Sequence, residues 1–87
     1  MKIWFKMFKD TRLLETRTLE DHSKATRTHK IFRALEEVCY ELDLAKPIWL
    51  QSNINEFSRY AKTRFYQDSF VEEIDFDFLE MQVLEED

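Results

Sequence analysis

Across its 87 residues the chain has no glycine, and its only proline is Pro47. Glycine is the residue that takes up positive φ without steric cost, so phosphate-cradling loops and sharp catalytic turns depend on it. Its absence excludes glycine-rich phosphate loops, the dinucleotide-binding fingerprint and the nucleophile elbow in their standard forms. What remains is a reading built on apolar pattern and charge.

A chain of this length holds one domain, spanning 1–87, because a second core would have too little surface to bury. Eight Phe, three Tyr and two Trp supply large side chains that make a small core viable without disulfides. The single Cys, Cys39, cannot close an intrachain disulfide, which points to a reducing, cytoplasmic compartment. No run approaches the roughly 18 to 20 apolar residues that a membrane helix requires, so no membrane partner is expected. The basic and apolar opening from Met1 to Lys9 is not read as a signal peptide. Its lysines interrupt the apolar run, and no small-residue cleavage site follows.

The net charge of −5 hides an asymmetry. Residues 1–33 hold nine Lys/Arg and four Asp/Glu, whereas residues 34–87 hold four and fourteen. A chain with a basic first part and an acidic second part can neutralise itself or present two oppositely charged surfaces. Self-pairing is the plainer expectation.

Alternation of apolar and polar residues predicts a strand from Lys2 to Lys9, a turn at Asp10-Thr11 and an antiparallel return from Arg12 to Glu20. With Lys9 opposite Arg12 and no irregularity, Lys6 faces Glu15 and Trp4 faces Arg17. The inner face is then Ile3, Phe5, Met7, Leu14, Thr16 and Thr18. An amphipathic helix follows, capped by Ser23 or Thr26, with Ile31, Phe32, Leu35, Val38, Cys39 and Leu42 as its buried stripe. Pro47 is expected to end it. Pro47 to Leu50 reads as a short buried strand, Ile54 to about Tyr60 as a short helix, and 61–71 as a structured connection. Glu72 to Glu85 reads as a last strand with a bulge near Phe78. The expected fold is α+β: a four-stranded, mostly antiparallel sheet with one long amphipathic helix on one face, in the order β-β-α-β-short α-β.

Candidate chemistry is sparse. His22 and His29, if on one helix, stand roughly 10 Å apart, too far to share a directly bound metal. His29 and Cys39 lie roughly 15 Å apart along a helix, which separates a nucleophile from a base. Glu73, Asp75 and Asp77 at alternate strand positions could chelate a hard cation, and Asp75 with Asp77 could act as an acid–base pair, the enzyme reading. A solvated acidic face is the more ordinary role, so no catalytic residue, metal or cofactor is expected. The stretch from Phe57 to Tyr66 interleaves cations with aromatics. Arg59, Tyr60, Lys62 and Arg64 are its nucleic-acid candidates, although the acidic balance weighs against that partner. The outer face of the hairpin carries Trp4, Phe8, Leu13 and Leu19. If the sheet is covered on one side only, these form an apolar patch of the kind that marks a protein partner or a second copy. The connection 51–71 could instead cover it.

The run His29-Lys30-Ile31-Phe32-Arg33-Ala34-Leu35-Glu36-Glu37-Val38-Cys39-Tyr40, with Lys46-Pro47-Ile48-Trp49-Leu50 and Lys62-Thr63-Arg64-Phe65-Tyr66-Gln67-Asp68, resembles small uncharacterised cytoplasmic proteins of bacteria. The resemblance implies no activity, cofactor or site residue. The expectation is therefore a non-enzymatic protein–protein interaction module that self-associates or docks a partner through its sheet face. The alternative is a nucleic-acid-binding regulator using the segment 57–66.

Overall fold

The computed structural model describes residues 1–87. In chain order it contains β1 (Lys2–Lys9), β2 (Arg12–Glu20), α1 (Arg27–Glu41), α2 (Gln51–Tyr60), β3 (Lys62–Phe65), one turn of 3₁₀ helix (Gln67–Ser69) and β4 (Phe78–Glu85). The strands form a single antiparallel sheet in the order β2-β1-β4-β3, an α+β fold. The element order departs from expectation in one place: the third strand follows the second helix instead of preceding it.

Residues other than glycine occupy every left-handed position. Asp10 and Thr11 sit at φ 50° and 64°, the mirror-image turn that matches the twist of a two-residue hairpin. Asp10 is fixed there by its backbone N–H, which donates to Asp77 Oδ2 at 2.9 Å. Asp43 and Ala61 take φ 57° and 54° at the ends of the two α-helices.

The hairpin begins in the expected register, with Lys9 opposite Arg12 and Phe8 opposite Leu13, and then shifts. Leu14 is an extra residue on β2, so Met7 faces Glu15, Lys6 faces Thr16, Phe5 faces Arg17 and Trp4 faces Thr18. A bulge of this kind moves every later side chain to the opposite face. Glu15, Arg17 and Leu19 therefore share the inner face with Met7, Phe5 and Ile3. The expected Lys6–Glu15 and Trp4–Arg17 pairs do not form.

Thr26 caps α1, its Oγ1 accepting from the His29 N–H at 3.2 Å. The helix ends in a Schellman turn. Leu44 N–H donates to the Cys39 carbonyl at 2.8 Å and Asp43 N–H to the Tyr40 carbonyl at 3.2 Å. Left-handed Asp43, rather than Pro47, stops the helix. The charges of α1 oppose its macrodipole, with Arg27 and Lys30 near the start and Glu36, Glu37 and Glu41 near the end. Tertiary partners compensate. Arg27 pairs with Glu86, Lys30 Nζ reaches Asp87 at 2.5 Å, and Glu41 lies 3.6 Å from Arg17. The basic and acidic parts of the chain do pair with each other, as these contacts show.

One core fills the helix side of the sheet. Ile3, Phe5 and Met7 of β1, Leu79, Met81 and Val83 of β4, and Phe65 of β3 meet Ile31, Ala34, Leu35, Val38 and Cys39 of α1 and Phe57 of α2. Phe32 is not part of it; its ring stays half exposed, edge-on to Trp49. Residues 44–50 form no strand, because the place beside β4 is taken by β3. Trp49 instead fills the gap between Phe32, Phe57 and Phe65, at centroid distances of 5.8, 5.5 and 5.2 Å. Residues 72–77 are also outside the sheet, so Glu73, Asp75 and Asp77 do not line one face of a strand. Glu72 and Asp77 bind backbone amides, of Ala45 and Asp10 respectively. No helix is long and apolar enough to cross a membrane.

Candidate interaction surface

The sheet has helices on one face only, and residues 51–71 supply α2 and β3 without crossing the other. That outer face is built from alternate residues of all four strands. Strand register arranges them in three rows across the sheet. Thr18, Trp4, Gln82 and Lys62 make the first. Thr16, Lys6, Glu80 and Arg64 make the second. Leu13, Phe8 and Phe78 make the third, which Tyr66 extends just beyond β3.

The middle row is electrostatic. Lys6 Nζ lies 2.8 Å from Glu80 Oε2, and Arg64 Nε lies 2.9 Å from Glu80 Oε1. Glu80 is only 2% exposed despite facing outward, because these cations and the flanking rings cover it. Burial alone would raise its pKa. The hydrogen bonds and charges of Lys6 and Arg64 outweigh burial and hold it below the usual carboxylate value. Arg64 is correspondingly held more firmly protonated by Glu80.

The outer aromatics are tied to this row. Lys6 Nζ sits 3.9 Å from the Trp4 ring centroid, and Trp4 Nε1 donates to Thr16 Oγ1 at 2.8 Å. The Arg64 guanidinium lies 4.4 Å from the Phe78 ring. Phe78 stacks on Phe8 at 5.2 Å and meets Tyr66 at 5.5 Å. Cation–π contacts of this kind hold a half-buried ring in place on a wet face.

Of the predicted patch, Trp4, Phe8 and Leu13 lie on this face, with Leu13 49% exposed. Leu19 does not. The bulge at Leu14 turns it inward, where it packs partly buried against the core. Tyr66 and Phe78 join this face without a signal in the sequence. Phe78 reads in sequence as a continuation of the Ile74, Phe76 set, and only the start of β4 at Phe78 reverses its direction. Tyr66 gave no periodic signal.

Among the nucleic-acid candidates, Tyr60, Lys62 and Arg64 border one shallow pocket of about 460 Å³ with Glu56, Tyr66 and Gln82. Arg59 is exposed on α2 but not in that lining. Two carboxylates temper the site: Glu56 shares the pocket, and Glu80 neutralises Arg64.

The remaining reactive groups are apart from one another. His22 precedes α1 and pairs with Glu20 at 3.0 Å, while His29 is exposed on the helix. Cys39 is buried, and burial first, then Glu72, pushes its thiol up to about 11. No family model matches the chain, and no curated protein or solved structure matches it.

Proposed function

We propose that this protein is a non-enzymatic protein–protein interaction module, cytoplasmic in setting, that docks a partner protein on the outer face of its sheet. The observation that supports the reading is the row Leu13, Phe8, Phe78 and Tyr66. It crosses β2, β1 and β4 and reaches Tyr66 just past β3, with Leu13 and Tyr66 about half exposed at its two ends. Rings stacked and tilted against one another beside a fixed ion cluster present a rigid apolar surface at low entropic cost. A partner supplying an apolar ridge would gain the burial of this row without disturbing the core beneath. Photo-crosslinkers at Leu13 and at Tyr66 test it, with Tyr40 on the helix side as control. The reading expects the same protein adduct from both positions and none from Tyr40. Adducts equal at all three sites, or none, would discard it.

A second reading, nucleic-acid binding, has one observation in its favour: Tyr60, Tyr66 and Lys62 line a single pocket. It predicts nucleic-acid adducts at Tyr66, and binding that weakens steeply with salt.

A further inference from the structure

The two edges of the sheet are treated differently. On β3 the outward peptide group of Arg64 is already bonded: its N–H donates to Glu56 Oε1 at 3.1 Å and its carbonyl accepts from Asn53 Nδ2 at 2.9 Å. Helix α2 thus closes that edge. Beyond β2 lies no strand. Of its outward groups only the Thr16 carbonyl is engaged, accepting from Arg17 Nη1 of its own chain at 2.8 Å. That leaves the carbonyl's second lone pair and the Thr16 N–H free for pairing. Met1 and Asp21 exchange both backbone hydrogen bonds, so alternation directs Leu19, Arg17 and Glu15 toward β1. The peptide groups of Thr16, Thr18 and Glu20 therefore point outward.

We propose that β2 is a homodimerisation edge, pairing antiparallel with β2 of a second copy about a two-fold axis at Thr16. The strand sequence Arg12-Leu13-Leu14-Glu15-Thr16-Arg17-Thr18-Leu19-Glu20 is complementary to its own reverse. Thr16 meets Thr16 of the other copy, Glu15 meets Arg17, and Leu14 meets Thr18. The parity is right. Thr16 offers its outward peptide to its own counterpart, and Glu15 and Arg17 share the inner face in both copies. The register is selected as well. A two-residue slip one way puts Glu15 on Glu15, and the other way Arg17 on Arg17, both repulsive. The bulge at Leu14 limits regular pairing to about five residues on each strand. With β3 closed by α2, the two-fold consumes the open edges, and assembly stops at two copies. This inference is independent of the sheet-face reading, since the dimer leaves both outer faces free.

Sedimentation and light scattering across a concentration series test it, using three forms of the full chain. The wild type is expected to dimerise. Glu15→Arg and Arg17→Glu each place like charges opposite one another twice and are expected to weaken the dimer about tenfold or more. Mixed in equal amounts, the two variants restore complementarity and form a mixed dimer. Amide exchange gives a reading that needs no variant: Thr16 and Thr18 should become protected as wild-type concentration rises. A wild type that stays monomeric into the millimolar range overturns the proposal. So does a dimer indifferent to both reversals, or one whose Thr16 and Thr18 amides exchange as freely as in the monomer.

Discussion

Lys6 and Glu80, from opposite ends of the chain, meet at 2.8 Å on the outward side of neighbouring central strands. The carboxylate is buried there by rings, not by core. Neutralising it leaves the Lys6 and Arg64 cations facing each other without their shared counter-ion. Glu80→Gln is expected to cost about 1 to 3 kcal/mol, because removing one member strands charges that were paired. Lys6→Met should cost less, since Arg64 still satisfies the carboxylate. Chemical denaturation of the two variants checks the order. Equal and negligible effects would mean the cluster is ornamental.

Acid should weaken the fold through the same kind of contact. Glu80, Glu86 and Asp87 are all held below their ordinary values of 4.5, 4.5 and 3.8 by cationic partners. A carboxylate with a depressed folded pKa stabilises the native state above its unfolded pKa, and that stability drains as pH falls through the folded value. The melting temperature is therefore expected to be nearly level down to the ordinary carboxylate range and to drop below it. A melting temperature unchanged at still lower pH would contradict the assignment of these pairs.

The glycine-free turns leave stability ungained. Thr11 at φ 64° and Ala61 at φ 54° carry a Cβ where none is favoured. Thr11→Gly and Ala61→Gly are each expected to stabilise by about 1 kcal/mol, raising the melting temperature of a domain this size by roughly 4 to 8 °C. Calorimetry of the two variants decides it. Destabilisation at Ala61 would show that its methyl group packs more than it strains.

Cys39 should behave as an inert core residue. Its thiol, pushed up to about 11 by burial and by Glu72, supplies almost no thiolate near neutrality. A thiol reagent is expected to modify the native protein only at the rate of global opening and the unfolded protein at once. Above the ordinary value of 9.0 the unfolded thiol ionises first, so stability from this group declines as pH climbs toward 11.

The elements legible in sequence were those with local signals. The hairpin showed in the alternation from Lys2 to Glu20, and α1 in its three-and-four spacing and the Thr26 cap. What escaped was set by partners distant in sequence. Lys62–Phe65 is only four residues long, too short for a period, and is a strand because β4 offers it an edge. Pro47–Leu50 has the apolar content of a strand, but β3 occupies the place beside β4. The bulge at Leu14 follows from fitting the turn to the core, and nothing in Leu13-Leu14 announces which leucine is the extra one. For the surface, Trp4, Phe8 and Leu13 followed from parity close to the turn or on β1. Leu19 failed because the slip accumulates beyond the bulge.

The sheet's order has a consequence for the chain as it leaves the ribosome. The strand synthesised last, β4, is the one that joins β1 to β3 at the centre. When residues 1–65 have emerged, three of four strands exist and the hairpin can already form, yet nothing connects it to β3. By then α1 can already cover Ile3, Phe5 and Met7, but Phe65 has no neighbouring strand until residues 78–85 clear the exit tunnel. The sheet therefore closes only once residues 78–85 are free, and the edge of β1 that β4 covers stays unpaired until then.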